Sequence, residues 1–182
     1  MNLRQDIFKT PIWGFQWKDA QFLEHIKTYA LHLSRTEPSV KKSNFNGWQS
    51  HDFMHEHAYF KPLCNQILQV ANSQVVQEYP GKLFELDAMW VNVNPPGGFN
   101  MAHIHDHALS GVFYVSVPSN SGRFVAVDPR QRVSMSTHRI KNTNYPVQPV
   151  EGACIIFPSW LEHYVEPNAS LSARISISFN LK

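Results

Sequence analysis

From Asp19 onward the apolar residues Phe22, Leu23, Ile26, Ala30 and Leu33 recur at three- and four-residue intervals. That spacing puts them on one face of a helix, which Glu37-Pro38 ends. A second helix is predicted from Ala58 to about Val76, with Phe60, Leu63, Cys64, Ile67, Val70 and Ala71 on one side and Pro80-Gly81 closing it. Between the two, Ser43 to Ser50 reads as an ordered loop. After Gly81 the hydrophobic period changes to two. Strands are predicted at Phe84–Asn94, Gly111–Val117, Arg123–Val127, Ala153–Phe157 and Ala173–Leu181. Pro95-Pro96-Gly97-Gly98, Asn120-Ser121-Gly122 and Glu151-Gly152 supply the turns, and the polar stretch Gln131–Tyr145 reads as an insertion loop.

Short strands between turn signals, with helices gathered at the front, predict an antiparallel β-sandwich or jelly roll. The expected division is one domain over residues 1–182, with 1–81 as mostly helical support and 82–182 as the β core. The last strand is the most regular. Arg174, Ser176, Ser178 and Asn180 share one face, and Ile175, Ile177, Phe179 and Leu181 share the other. Its apolar face must pack on a core. Its polar face fits either open solvent or the wet interior of a barrel, and the alternation does not choose between them.

Composition narrows the function classes. With 182 residues, 43% hydrophobic, the chain is large enough for one real core. A net charge of +2 gives no strong pull toward nucleic acid or membrane. The start, Met1-Asn2-Leu3-Arg4-Gln5-Asp6, does not read as a signal peptide, and no apolar run is long enough to span a bilayer. Cys64 and Cys154 sit in apolar contexts and read as buried thiols of a reduced, cytoplasmic protein. Ten histidines are many for this length, and they are the one bulk number that points to chemistry.

His103-Ile104-His105 places two imidazoles at i and i+2, on one face of an extended segment. His163, from a distant strand, could close a three-point metal site on that face. Arg174 and Ser176 repeat the i, i+2 relation and could grip an anionic co-substrate beside the metal. This order suggests non-haem iron, whose usual ligand set is two His and one carboxylate. Here the i+2 position is His105 rather than Asp or Glu. The preferred ligands are His103, His105 and His163, with Asp106 or His107 as alternatives for the second position. On an extended strand Asp106 would point away from that face. A further cluster, His51, His55 and His57, lacks the spacing of zinc proteases and reads as a solvated loop.

Longer motifs carry a resemblance. Ser43-Asn44 with Gly47-Trp48-Gln49-Ser50, Trp90-Val91-Asn92, His103-Ile104-His105 with Ser110-Gly111-Val112-Phe113-Tyr114, and Asp128-Pro129-Arg130 form one set. Phe157-Pro158-Ser159-Trp160-Leu161-Glu162-His163 and Arg174 through Asn180 form another, and Phe8 to Trp13 adds an opening motif. Together they resemble a small family of 2-oxoglutarate/Fe(II) oxygenases over nearly the whole chain. One departure is that the segment from His105 to Ser110 is a residue short, with Asp106 where Pro is expected.

The resemblance implies a double-stranded β-helix (a cupin-like jelly roll) and Fe(II) held by His103, His105 and His163. It also implies 2-oxoglutarate as co-substrate, clasped by Arg174 with Ser176. Asn92 and Asn94 are further candidates for hydrogen bonds to the co-substrate. Arg130 is a candidate clamp for an acidic substrate, and Tyr114 and Trp160 are candidate cavity-wall residues. The expected reaction is hydroxylation of a small-molecule or peptide substrate with release of succinate and CO2. Gln131–Tyr145 and the segment around Trp48 would carry substrate choice. The rival readings are a three-His iron dioxygenase that uses no 2-oxoglutarate, and a non-catalytic metal- or ligand-binding barrel.

Overall fold

The chain's computed structural model describes residues 8–79, 81, 83–130 and 144–182. The first predicted helix is α1, Ala20–Thr36; the Asp19 carboxylate caps it by accepting the Phe22 N–H at 3.0 Å. The second is split. α2 covers Lys61–Ser73, with single 3₁₀ turns at Ala58–Phe60 and Val75–Glu78 in place of continuous α-helix. Among the described residues no helix is long and apolar enough to cross a membrane.

The strands form two antiparallel sheets. Their ranges are β1 Trp13–Gln16, β2 Asn44–Phe45, β3 Trp48–Gln49, β4 Leu86–Asn94, β5 Phe99–His103 and β6 Leu109–Ser116. They continue as β7 Phe124–Val127, β8 Asn144–Val147, β9 Ala153–Pro158, β10 His163–Val165 and β11 Arg174–Leu181. The first sheet runs β1-β9-β6-β11-β4-β3 and the second β2-β5-β10-β7-β8. This is the expected jelly roll, the double-stranded β-helix.

One expectation gains a detail and one needs correction. Besides its helices, the front of the chain holds β1, β2 and β3, which lie before residue 81 and join the sheets. Ser43 to Ser50 is not a loop but holds β2 and β3. Of the predicted insertion Gln131–Tyr145, residues 131–143 lie outside the described residues, while Asn144 and Tyr145 belong to β8. Cys64 and Cys154 are free and buried.

The register of β11 between β4 and β6 settles what its polar face does. Ile175, Ile177, Phe179 and Leu181 pack with Met89, Val91 and Phe113 against Leu23, Ile26, Ala30, Phe60, Leu63 and Ile67 of the helical layer. Fully burying each such side chain is worth about 1.5–3 kcal/mol. The opposite face (Arg174, Ser176, Ser178 and Asn180) lines a cavity between the sheets rather than open solvent. Helices therefore cover one side of the first sheet, and the second sheet roofs the other.

One turn is tightly constrained. Gly122 has φ +87, and a Cβ there would collide with the Glu166 carbonyl. The same turn offers the Ser121 and Gly122 carbonyls to the Arg174 guanidinium, at 2.8 and 3.4 Å. We expect Gly122→Ala to lower stability by about 2 kcal/mol or more, through positive φ plus the clash. Chemical denaturation measures this, and an unchanged midpoint would mean the turn is less constrained than described.

Candidate metal centre

The predicted metal residues meet in one place. β10 pairs with β5 so that His163 lies directly opposite His103. β5 ends at His103, so His105 is not on a strand; its backbone N–H is fixed by the Ser159 carbonyl at 3.0 Å. The ring centroids are 4.4 Å apart for His103–His163, 4.9 Å for His103–His105 and 5.3 Å for His105–His163. One ligand nitrogen from each of the three comes within 4.8 Å of the others.

Two of the rings are oriented by the same device. His103 Nδ1 lies 2.7 Å from the Met101 carbonyl and His163 Nδ1 lies 2.8 Å from the Leu161 carbonyl, each two residues back along the chain. A carbonyl only accepts, so Nδ1 carries the proton and Nε2 keeps its lone pair for a metal. His163 is further packed by Phe124 and Phe157, with centroids at 5.2 and 4.8 Å. His105 has no ring hydrogen bond among the described residues and rests near Trp90 at 5.7 Å. Its position comes instead from a buried chain. Ser110 Oγ donates to Asn180 Oδ1 at 2.8 Å and lies 2.7 Å from Ser159 Oγ, and the Ser159 backbone holds His105.

Burial keeps this cluster uncharged. Burial is the main cause that pushes His105 down to about 3, followed by the neighbouring His103, His163 and His107. Burial and then His103 push His163 down to about 4, partly opposed by its bond to Leu161. His103 is lowered in the same direction, again first by burial. Neutral imidazole is the form a metal binds.

The cavity holds about 560 Å³, room for a small co-substrate and a substrate group together. Arg174 is only 2% exposed and lines it. Its partners among the described residues are the two neutral carbonyls of Ser121 and Gly122, with no carboxylate. Burial lowers the guanidinium's pKa, while the neighbouring Tyr114 opposes that shift. Tyr114 lies across from Ser176 in the sheet, lines the same cavity and has its own pKa raised by burial. A buried guanidinium without an anion is costly, so an acidic ligand fits this end of the cavity. The histidine donor set fits a divalent transition metal at the other.

The other candidates are placed as follows. Asn92 lines the cavity; its Nδ2 donates to Ser178 Oγ at 3.0 Å, and its buried Oδ1 has no partner among the described residues. Asn94 sits beside Arg174 in register, but its Nδ2 is spent on Asn100 Oδ1 at 3.2 Å. Asp106 is exposed at the cavity mouth and contributes nothing to the three-nitrogen cluster. His107 also lines the cavity, but its Nε2 pairs with Asp87 at 3.1 Å. Arg130 is exposed and forks onto Asp128 of its own turn at 2.9 and 2.7 Å. Trp160 is half exposed. Trp48 ties its indole N–H to the Glu37 carbonyl, so it is the following residue, Gln49, that lines the cavity. His51, His55 and His57 form no ligand group among the described residues.

Comparison with known proteins places this geometry. The family described as "Putative 2OG-Fe(II) oxygenase" matches residues 88–180. A search of curated proteins finds no match. The fold is similar to that of a Pseudomonas putida prolyl-4-hydroxylase, with TM-score 0.70, 14% identity, and coverage of 94% of this chain and 91% of that one. It is also similar to SnoN, an α-ketoglutarate-dependent epimerase of nogalamycin biosynthesis, with TM-score 0.73, 16% identity and coverage of 94% and 77%. HygX from Streptomyces hygroscopicus, solved with nickel and 2-oxoglutarate bound, gives TM-score 0.67, 11% identity and coverage of 94% and 82%.

Two outcomes follow. After reconstitution with divalent metal, His103→Ala, His105→Ala and His163→Ala should each lose most of the bound metal by elemental analysis. Asp106→Asn should keep it, and loss in that variant would replace His105 with Asp106 in the ligand set. The metal-free protein should also lose stability as pH falls from about 6.5, where unfolded imidazoles begin to bind protons, toward the folded values near 4 and 3. Denaturation midpoints across that window measure this, and a flat profile would contradict buried neutral imidazoles.

Proposed function

The chain belongs to the 2OG-Fe(II) oxygenase family, and from that premise we propose that it hydroxylates a small-molecule or peptide substrate while converting 2-oxoglutarate to succinate and CO2. One oxygenase domain spanning the whole chain fits this reading. The observation that carries it is the buried, carboxylate-free Arg174 in the same cavity as the three imidazoles.

When bound, iron(II) and 2-oxoglutarate supply the oxidising chemistry that puts an oxygen atom from O2 into a C–H bond. The protein's own work is placement. His103, His105 and His163 offer three neutral nitrogens from one side and leave the opposite side open to ligands. Arg174 presents a planar fork that matches a carboxylate, and Ser176, two residues along on the same face, adds a hydroxyl donor. Tyr114 faces Ser176 across the sheet, where its phenol can join the same clasp. Asn92, one strand over from Ser176, stands where it can bond a co-substrate or substrate group. Phe124 and Phe157 exclude water behind His163. Three neutral ligands would leave a bound metal one charge more positive than the usual set with a carboxylate, so looser metal retention is expected.

Arg174→Met should weaken 2-oxoglutarate binding to the metal-loaded protein by a hundredfold or more, about the 3 kcal/mol of a buried charged contact. Metal content should stay unchanged. Calorimetric titration reads the first and elemental analysis the second. 2-Oxoglutarate should also raise the wild-type melting temperature and not the variant's. Failure of the metal-loaded wild type to bind 2-oxoglutarate would favour an iron dioxygenase that needs none.

A further inference from the structure

The first sheet carries a row of side chains at one level, set by register. Gln49 on β3 pairs with Asn92 on β4, Asn92 pairs with Ser176 on β11, and Ser176 pairs with Tyr114 on β6. Residues paired across strands project from the same face, and all four line the cavity. Ser176 and Tyr114 form the half of the row nearest Arg174. Gln49 and Asn92 form the other half, at the sheet's edge strand. The β3 and β11 strands are separated by two strand spacings, about 10 Å. Whatever Gln49 meets therefore lies to the side of a carboxylate centred on Arg174.

Gln49 is 3% exposed and lines the cavity, and its side-chain amide makes no hydrogen bond among the described residues. Its backbone is fixed on both sides, with its N–H donating to Ser39 Oγ at 3.1 Å and its carbonyl accepting from Val40 at 2.9 Å. The amide is thus presented from a rigid edge. Beside it, Asn92 has one half satisfied by Ser178 and one half buried without a partner among the described residues. Asn100, a third carboxamide on the cavity wall, differs: its oxygen accepts from Asn94 and its nitrogen donates to Ser43. Of these three carboxamides on the cavity wall, Gln49 and Asn92 are the two that keep spare hydrogen-bonding capacity among the described residues.

We infer that Gln49 and Asn92 form a carboxamide pair that recognises an amide group, a peptide bond or a primary carboxamide, on the substrate to be oxidised. The inference rests on the oxygenase reading above and adds its substrate class. The free Asn92 oxygen needs a donor, and Gln49 offers both a donor and an acceptor. A carboxylate brings only acceptors and would leave the Asn92 oxygen bare. An ammonium brings only donors and would leave the Gln49 N–H groups bare. An amide brings both. With the Asn92 amide turned end for end, its free group becomes a donor, and an amide ligand satisfies that arrangement as well. Leaving the buried Asn92 group unpaired costs about 1–3 kcal/mol, which is the source of discrimination.

The test uses the full-length chain loaded with Ni(II), with and without 2-oxoglutarate, so that binding is read without turnover. The probes are a panel of N-methylamides and primary amides of simple carboxylic acids and the matching methyl esters, with no other amide in either, so that the ester keeps the carbonyl and lacks any N–H. At least one amide should bind about tenfold or more tighter than its ester, the scale of one hydrogen bond in a buried site. Gln49→Leu and Gln49→Met should each erase that preference, with 2-oxoglutarate affinity unchanged within about twofold and circular dichroism unchanged. Absence of any amide preference in the wild type overturns the inference. So does a tenfold loss of 2-oxoglutarate affinity in both Gln49 variants, which would assign the pair to the co-substrate. Wild-type protein that binds amides selectively but never 2-oxoglutarate would sink the 2-oxoglutarate-dependent reading and leave the amide site standing.

Discussion

A single buried cation organises this structure. Arg174 stands at the first residue of β11, under the roof of the second sheet, with two backbone carbonyls for company and no anion among the described residues. Desolvating a guanidinium is expensive, and two neutral acceptors only partly offset it. The fold holds it there through a glycine turn with no room for a Cβ and through a strand whose other face is locked into the core by Ile175, Ile177, Phe179 and Leu181. Such an arrangement makes sense when an acidic ligand completes it. The cavity then has polarity along its length, cationic at Arg174 and neutral but metal-ready at the three histidines.

The imidazole cluster follows the same logic of pre-organisation. Two rings are turned outward by carbonyls two residues behind them, and all three are kept uncharged by burial. The third is held only through the backbone, by a serine and asparagine network that reaches from β11 and β6. One strand, β11, thereby contributes to both ends of the cavity: Arg174 and Ser176 to the cationic end, and Asn180 to the support of His105.

Much of this was legible in the sequence because it follows a period. The alternation of Arg174 to Leu181 gave the strand and the two faces, and the histidine spacing with the longer motifs pointed to the three histidines that meet in one cluster. What alternation could not say was whether the polar face met water or a cavity; that depends on the second sheet folding over it. Two-residue strands such as β2 and β3 are too short to show any period, so the segment read as a loop, and Gln49 was passed over as a candidate ligand-binding residue. β1 carries the same period, with Trp13, Phe15 and Trp17 alternating toward the core, but four residues are too few to mark a strand by pattern alone. Arg130 looked like a clamp because a free arginine and a tied one are identical in sequence; here its fork is taken by Asp128. Asn94 shares a face with Asn92, but its amide is spent on Asn100, a partner that spacing alone does not reveal.

The measurement that reaches the central claim most directly is a crystal structure of the protein with a divalent metal and 2-oxoglutarate, the metal located by its anomalous signal. The account predicts one metal bonded to nitrogen atoms of His103, His105 and His163, and the far carboxylate of 2-oxoglutarate on the Arg174 guanidinium. A metal bonded to Asp106 instead of His105, or a 2-oxoglutarate carboxylate bound away from Arg174, would contradict it.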